Sequence, residues 1–250
     1  MVRFFTSPQN IYDDTIRLSA EDAEHIRSLR LRPTEEFIVC DGAGSDYICR
    51  LGQGGTGLGN SEHRDGSISE IVDMRPSHGE PTVMCSVYIA LAKGDRLEYA
   101  VQKSVELGAH DIVLFVSERC VSIPADITKK IPRLRRISLE TAKQCGRGII
   151  QEVTALGSFV AAITSAASAG LPLFLYECED RLHLRQALEH CGEVRTVSIV
   201  TGPEGGFEPH EADAARSAGL VAVTLGPRIL RCETAPAAAL AAVMYHTDNF

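Results

Sequence analysis

Apolar residues follow two different patterns along the chain, and the change comes near residue 80. After residue 82, short apolar runs typical of buried strands alternate with segments whose apolar residues have helical spacing. The predicted strands cover 83–91, 111–116, 172–176, 196–200 and 220–225. The predicted helices begin at Asp95, present a face of Leu134, Ile137, Thr141 and Cys145, cover 158–169, 180–190 and 209–217, and begin again at Pro236. This alternation predicts an α/β fold, with a parallel sheet covered by helices on both sides.

The first 72 residues predict a smaller unit made of short strands and one helix. Ser19, followed three residues later by Asp22, resembles a capping box and predicts a helix start. Strand-like segments follow at 37–40, 47–51 and 68–72. The polar stretch 76–81 carries a proline at each end and separates two apolar regions. We therefore predict two domains, 1–73 and 80–250.

Two loops in the last third of the chain are the strongest candidates for a binding site. The sequences are VTGPEGGF at 200–207 and LGPRILRCETAP at 225–236, and each lies between a predicted strand and a predicted helix. Ligands of parallel sheets bind at the carboxyl ends of strands, where both loops fall. Glycines leave the main chain accessible to a ligand. The first loop lacks the ending of a Walker A motif, and an ordinary strand-to-helix turn is its alternative interpretation.

Several common classes of site and location are not supported by the sequence. The segment 52–57 matches GxGxxG, but no helix start follows it, so we interpret it as a flexible loop. The eight cysteines include no CxxC pair, and no metal site is predicted. No apolar run reaches the length of a membrane helix, and the N-terminus has no secretory signal pattern. We predict a cytoplasmic protein without a membrane partner.

The charge of the chain is unevenly distributed. The formal net charge of −8 argues against a protein that coats nucleic acid without specificity. Arg27, Arg30 and Arg32 nevertheless form one basic cluster, and residues 129–147 form a second one with seven basic residues and a single acid, Glu140. Such clusters fit either a docking surface for a polyanion or the solvated face of a helix.

The order of motifs resembles that of the RsmE-type ribosomal RNA methyltransferases of the SPOUT superfamily. The resemblance is carried by GPEGGF and LGPRILRCETAPAAAL, and extends to residues 93–108, 117–120 and 142–147. Residues 3–5 and 25–30 are similar to the N-terminal PUA-like module of that family. The chain departs from the family at Cys232, where threonine is usual, at Glu208, where serine is usual, and at 33–36, where a glycine turn is usual.

The resemblance implies a fold, a reaction and a cofactor. The fold would be a C-terminal SPOUT-type parallel sheet with a trefoil knot, joined to a small N-terminal PUA-like β-barrel that binds RNA, in a homodimer. The reaction would be methylation of N3 of a uridine in 16S ribosomal RNA of the small subunit, with S-adenosyl-L-methionine as cofactor. The implied cofactor-binding residues are Tyr176, Glu177, Thr201, Gly202, Pro203, Glu204, Gly205, Gly206, Leu225, Gly226, Ile229, Leu230, Glu233, Thr234 and Ala235.

Roles for the charged residues follow from the same resemblance. Arg231 is the catalytic candidate that holds a phosphate of the target nucleotide or the negative charge developing on uracil; its alternative is a salt bridge with Glu204 or Glu233. Glu204 is the candidate proton acceptor, or it orients Arg231. Adenine is expected among Leu225, Ile229 and Leu230. The candidate RNA contacts are Arg3, His25, Arg30, Arg32, Lys103, Arg119, Lys143, Gln144 and Arg147.

Two other functions remain open at this point. A SPOUT methyltransferase could act on another RNA, such as transfer RNA. A noncatalytic RNA-binding or ribosome assembly factor could keep the fold, but it would need neither the two glycine loops nor Arg231.

Overall fold

The structure is a computed structural model that describes every residue except 33, 52–67, 122 and 125. The chain divides into two compact units. The first comprises Met1–Glu80 and Ala142–Ile150, and the second comprises Pro81–Thr141 and Gln151–Phe250. The GxGxxG-like segment at 52–57 and the proline of the 33–36 departure lie outside the described residues.

The first unit is built on a curled, open five-stranded sheet. Its order is β1-β3-β4-β5-β2; β1 is parallel to β3, and the other pairs are antiparallel. Aromatic and branched side chains, including Phe4, Ile26 and Phe37, form the core of this unit. The elements are β1 (Arg3–Phe5), β2 (Thr15–Arg17), α1 (Ala20–Leu29), β3 (Phe37–Cys40), β4 (Ser45–Leu51) and β5 (Ile68–Pro76).

The predicted capping signal starts helix α1. The hydroxyl of Ser19 accepts the main-chain N–H of Asp22 at 3.1 Å, which satisfies one of the free donors of the first turn. The helix ends at Arg30, which has a left-handed conformation with φ of 52°. A local motif therefore determines the start of the helix.

The second unit confirms the predicted α/β fold. Its six strands are all parallel, in the order β11-β9-β10-β6-β7-β8. The strands are β6 (Met84–Ala90), β7 (Asp111–Phe115), β8 (Glu152–Ala155), β9 (Leu171–Leu175), β10 (Thr196–Thr201) and β11 (Val221–Val223). The helices are α2 (Arg96–Glu106), α3 (Ile131–Cys145), α4 (Phe159–Ala166), α5 (Leu184–His190), α6 (Pro209–Ser217) and α7 (Ala235–His246).

Two groups of helices cover the sheet of the second unit. Helices α2 and α5 both contact α7, which contacts β6 and β10. Helix α4 contacts α6 and also packs on β6, β7 and β10. Because both groups reach the central strands, the sheet is covered on its two faces, and its strands are correspondingly rich in buried apolar residues.

Three local predictions were wrong. Strand β8 was missed, because it has four residues, of which only Val153 is buried. Helix α5 begins at Leu184 rather than at residue 180, because Leu182 and Leu184 make main-chain hydrogen bonds with Thr224. Helix α7 begins at Ala235, one residue before the predicted Pro236; the N–H groups of Thr234 and Ala235 bond to the carbonyl of Arg231, and the side chain of Thr234 does not cap the helix.

A buried ion pair stabilises the first unit. The carboxylate of Asp46 accepts two hydrogen bonds from the guanidinium of Arg3, at 2.7 and 2.8 Å, and one from the hydroxyl of Ser77. The side chains of Arg3 and Asp46 are only 9% and 2% exposed. Burial alone would raise the pKa of Asp46, but the hydrogen bonds from Arg3 and Ser77 outweigh it and hold the pKa below 3.8.

A second pair joins two distant segments of the same unit. The guanidinium of Arg147 lies 2.7 Å from the carboxylate of Glu80, and its side chain is 4% exposed. The other oxygen of Glu80 accepts the main-chain N–H groups of Gly148 and Ile149 at 2.8 and 3.0 Å. One carboxylate therefore holds the whole turn at 147–149.

We predict that Asp46→Asn lowers the free energy of unfolding by about 3 kcal/mol, because it leaves the buried Arg3 without its charge partner. Urea unfolding followed by circular dichroism at pH 7 measures this loss. The exposed Asp13→Asn, the matched control, should change stability by less than about 0.5 kcal/mol.

The same variant has a predicted pH dependence. The folded-state pKa of Asp46 is depressed, so its contribution is complete above 3.8 and is lost as the pH falls through the lower folded-state value. Wild type should therefore lose its advantage over Asp46→Asn in acid. An advantage that stays constant down to pH 3 would contradict the assigned pairing.

Candidate functional site

A deep cavity of the second unit lies at the carboxyl ends of its parallel strands. It has a volume of about 710 Å³ and is lined by residues that follow β6, β7, β9, β10 and β11. Pro203 of the first glycine loop and Leu230 of the second both line it. The structure thus brings together two segments that are far apart in the sequence, at the edge where ligands of such sheets bind.

The first glycine loop is a tight turn with no room for a side chain at Gly206. The N–H of Gly206 donates to the carbonyl of Pro203 at 3.0 Å. Gly206 has φ of +70°, and a Cβ there would lie 1.8 Å from Oε1 of Glu177. That same oxygen accepts the N–H of Phe207 at 2.9 Å. Only glycine fits this position, because the carboxylate occupies the space of a side chain.

The loop is anchored to the core through Phe207. Its ring is 1% exposed and lies 4.5 Å from that of Phe174 and 5.5 Å from that of Phe159, between ring centroids. A Cβ on Gly202 would lie 3.0 Å from this ring. The main chain of the loop therefore rests directly on an aromatic cluster, which fixes its path.

The second loop presents both apolar groups and free main-chain donors. Leu225 and Leu230 are half-buried and line the cavity, and in the described part of the chain neither of their N–H groups has a partner. Gly226 has φ of +113° and bonds to the hydroxyl of Thr224 at 3.2 Å. Ile229 also lines the cavity, but its side chain is 84% exposed. Leu225 and Leu230 therefore supply the buried apolar wall, and Ile229 does not.

Glu204 is held by helix α2 rather than by Arg231. Its Oε1 accepts the N–H of Lys93 and the guanidinium of Arg96, each at 2.9 Å. Its Oε2 is buried and has no partner among the described residues. Burial alone would raise the pKa of Glu204, but these hydrogen bonds outweigh it and the pKa lies below its ordinary value. Glu204 is thus ionised at neutral pH, and the expectation that it orients Arg231 is wrong for this geometry.

Arg231 lines the cavity with an exposed side chain. Its guanidinium makes no hydrogen bond or ion pair with any residue that the structure describes, so the alternative of a bridge to Glu204 or Glu233 is not formed. Its carbonyl accepts the N–H groups of Thr234 and Ala235 at 2.8 and 2.9 Å. The main chain of Arg231 is therefore fixed at the start of helix α7, while its charge is available to a ligand.

Cys232 stays a neutral thiol beside this arginine. Its sulfur lies 3.2 Å from Oε2 of Glu233. Burial, and then the hydrogen bond to Glu233, raise the pKa of Cys232 to about 12. A thiol is a weak donor, so it replaces the hydroxyl usual in the family only in part.

Two of the candidate RNA contacts have a structural role instead. Arg3 and Arg147 are buried and paired with Asp46 and Glu80 in the first unit. Buried, paired guanidinium groups are not available to phosphates. The RNA-contact prediction is corrected accordingly for these two residues.

The other candidate RNA contacts lie at the surface of one unit or the other. His25, Arg30, Arg32 and Gln144 are exposed in the first unit, and His25 packs edge-on against Phe4. Lys143 lies 3.4 Å from Asp22. In the second unit, Lys103 is paired with Glu106 at 2.7 Å, and Arg119 is paired with Glu208 at 2.6 Å.

The cavity also contains residues that the sequence analysis did not select. Arg96, Thr224 and Arg228 line it, together with Arg119, whereas the predicted Thr234 does not. Arg96 is the first residue of α2, beyond the loop that follows β6, and could have been found by the rule that selected the two loops, since that loop lies at the same edge of the sheet. Arg228 sits inside the second loop, where only its charge distinguishes it from its neighbours.

Comparisons with known proteins agree with this geometry. The RNA methyltransferase domain family matches residues 79–244. The Bacillus subtilis protein named ribosomal RNA small subunit methyltransferase E is 29% identical over 258 residues, which cover 99% of this chain and 98% of the relative. Its namesake from Mycobacterium tuberculosis is 33% identical over 228 residues, which cover 88% of this chain and 82% of the relative.

A solved structure gives the same result. The crystal structure of ribosomal RNA small subunit methyltransferase E from Neisseria gonorrhoeae, bound to S-adenosyl methionine, is 31% identical with a TM-score of 0.80. The match covers 98% of this chain and 97% of that one. The chain therefore belongs to the RNA methyltransferase family, and within it to the ribosomal RNA small subunit methyltransferase E group.

Proposed function

We propose that the protein is an S-adenosyl-L-methionine-dependent methyltransferase that modifies N3 of a uridine in 16S ribosomal RNA of the small ribosomal subunit. The observation that carries the proposal is the convergence of the two glycine loops on one cavity at the carboxyl edge of a parallel sheet. The Neisseria gonorrhoeae relative, which was crystallised with S-adenosyl methionine, supports the choice of cofactor.

The lining of the cavity fits this cofactor. Leu225 and Leu230 offer an apolar surface for adenine, and their N–H groups, which have no partner among the described residues, suit its polar edge. The carboxylates of Glu177, Glu204 and Glu233 complement a ligand that carries a positive charge. When bound, the cofactor supplies an electrophilic methyl group on a sulfonium sulfur. The cofactor would be held by the predicted cofactor-binding residues that line the cavity; Thr234 does not line it.

Arg231 would hold the target nucleotide. Its guanidinium lines the cavity without a partner among the described residues, so it can bind a phosphate or the negative charge that develops on uracil. The base must leave its stack to reach such a cavity. The protein's task is mainly to position two reactants, and Arg231 would contribute to it by holding the nucleotide.

Glu204 is a weak base in this geometry, because Lys93 and Arg96 hold its pKa below the ordinary value. We propose that it acts as an ionised wall of the cavity and accepts the uridine proton only if a ligand displaces Arg96. Otherwise the proton of uridine N3 passes to solvent, or to a group of the bound RNA.

The finer features of the family complete the proposal. We infer that 80–250 is the SPOUT methyltransferase domain, with a trefoil knot, and that 1–73 is a PUA-like β-barrel that binds RNA. Membership of the family supports this inference. We further propose a homodimer acting in the cytoplasm, where small ribosomal subunits are assembled. No helix among the described residues is long and apolar enough to cross a membrane.

The proposed function is tested by calorimetry and by mass mapping of modified RNA. We expect the purified chain to bind S-adenosyl-L-methionine, and 16S ribosomal RNA from cells that lack the gene to lose one N3-methyluridine that a plasmid copy restores. Loss of a methyl group from transfer RNA instead would support the alternative substrate. A chain that binds RNA but no cofactor would be a noncatalytic factor.

We predict that Arg231→Ala lowers turnover by about 100-fold or more, because it removes the cation that faces the developing charge. Cofactor affinity, measured by calorimetry, should change little. Arg185→Ala removes an equal charge from an exposed position outside the cavity lining and is the matched control, with turnover expected to stay near that of wild type. An equal fall in cofactor affinity and turnover would contradict the assigned role.

We predict that Arg30→Ala combined with Arg32→Ala reduces the slope of log K against log salt for RNA binding by about 1.5, since each phosphate contact contributes to that slope. Filter binding to a 16S fragment between 50 and 300 mM salt measures it. The control is Arg181→Ala with Arg185→Ala, whose side chains are 93% and 86% exposed in the second unit. Equal slopes in wild type and variant would eliminate this surface.

A further inference from the structure

The first glycine loop is held from outside by the segment that follows β7. Nη1 of Arg119 donates to the carbonyl of Gly205 at 3.0 Å, and its Nε lies 2.6 Å from the carboxylate of Glu208. A Cβ on Gly205 would lie 3.0 Å from Cβ of Arg119. The side chain of Arg119 therefore connects Gly205, in the loop, with Glu208, which directly follows the loop, and packs against the loop as well.

A buried carboxylate strengthens the same junction. Glu211 is 4% exposed, and its oxygens accept the N–H of Glu118 at 3.1 Å, the hydroxyl of Ser117 at 3.3 Å and the N–H of Glu208 at 2.9 Å. These bonds tie the residues around Arg119 to the first turn of helix α6. The segment that carries Arg119 is thus fixed before any ligand arrives.

The end of the loop is fixed by Glu177, which accepts the N–H of Phe207 and fills the space beside Gly206. The loop therefore has a cation bonded at Gly205 and an anion bonded at Phe207. Glycine-rich segments lose more conformational entropy on ordering than any others. A loop that is already ordered spares a ligand that cost, and the ligand binds more tightly.

We propose that Arg119 is a positioning residue that pre-orders the 202–207 loop for the methyl donor, and that its task is not to contact RNA. The proposal rests on the proposed cofactor site and corrects the expectation that Arg119 is an RNA contact. Two of its donor groups are already used within the protein, whereas Arg228 and Arg231 have no partner among the described residues. The side chain acts on the ligand through the main chain of Gly205.

The first test is the affinity for S-adenosyl-L-methionine, measured by calorimetry. We expect Arg119→Ala to raise the Kd about fivefold, the effect of losing one partly exposed charged brace. Arg119→Lys should resemble it, because a single ammonium does not reproduce the fork in which Nε and Nη1 bond Glu208 and the carbonyl of Gly205 separately. Affinity for a 16S fragment should stay within about twofold in both variants. Arg185→Ala, which breaks a surface pair with Glu189 remote from the cavity lining, is the matched control.

A second measurement needs no cofactor. Amide hydrogen exchange of the ligand-free protein should be faster at Gly206 and Phe207 in Arg119→Ala than in wild type, while the strands keep their protection. Glu208→Ala should have a smaller effect of the same kind, and the two changes should not be additive, because they remove one shared interaction.

Three outcomes would overturn the proposal. The first is unchanged exchange at Gly206 and Phe207 in Arg119→Ala. The second is unchanged donor affinity with weaker RNA binding. The third is full recovery of activity and affinity in Arg119→Lys, as expected of a phosphate contact. If wild type itself binds no donor, the proposed function fails, and hydrogen exchange still decides whether the brace exists.

Discussion

The candidate site depends on one steric constraint: the first glycine loop passes through a space with no room for a side chain at Gly206 and little at Gly202 and Gly205. The carboxylate of Glu177 occupies the place of a Cβ on Gly206, and a Cβ on Gly202 would lie only 3.0 Å from the ring of Phe207. These contacts bring the main chain of the loop down onto the aromatic core. The second loop lies on the neighbouring part of the same sheet edge. It faces a surface formed mainly by the main chain of the first loop, and the cavity is the space between the two loops.

The arginines around the cavity separate into two groups by what they bind. Arg96 and Arg119 are neutralised by Glu204 and Glu208, and both act on the geometry of the first loop. Arg228 and Arg231 lie in the second loop and have no such partner among the described residues. A cation paired within the protein stabilises the walls, and an unpaired one is available to a polyanion. Arginine thus has two roles at one site, and only the positions of the acidic residues distinguish them.

Local sequence patterns predicted most helices and strands and the two glycine loops. They could not predict ion pairs between residues that are far apart in the sequence. The start of α1 and the two glycine loops are each specified by fewer than about a dozen consecutive residues, so sequence spacing was sufficient. The resemblance assigned Arg3, Arg119 and Arg147 to RNA, whereas the partners that the structure gives them lie 43, 89 and 67 positions away. No spacing rule connects such residues, since only the fold brings them together. Strand β8 was missed for a related reason: a strand of four residues depends on its neighbours more than on its own pattern.

The first unit is discontinuous in sequence, because residues 142–150 belong to it although they lie between parts of the second. Within that unit, Glu80 holds the turn at 147–149, and a Cβ on Gly148 would collide with Ser77. A gene fragment that ends at residue 80 would therefore lack part of its own fold and expose the Glu80 carboxylate. The chain cannot be cut into two working halves at its polar linker, and any evolutionary exchange of the N-terminal module has to replace two stretches of sequence at once.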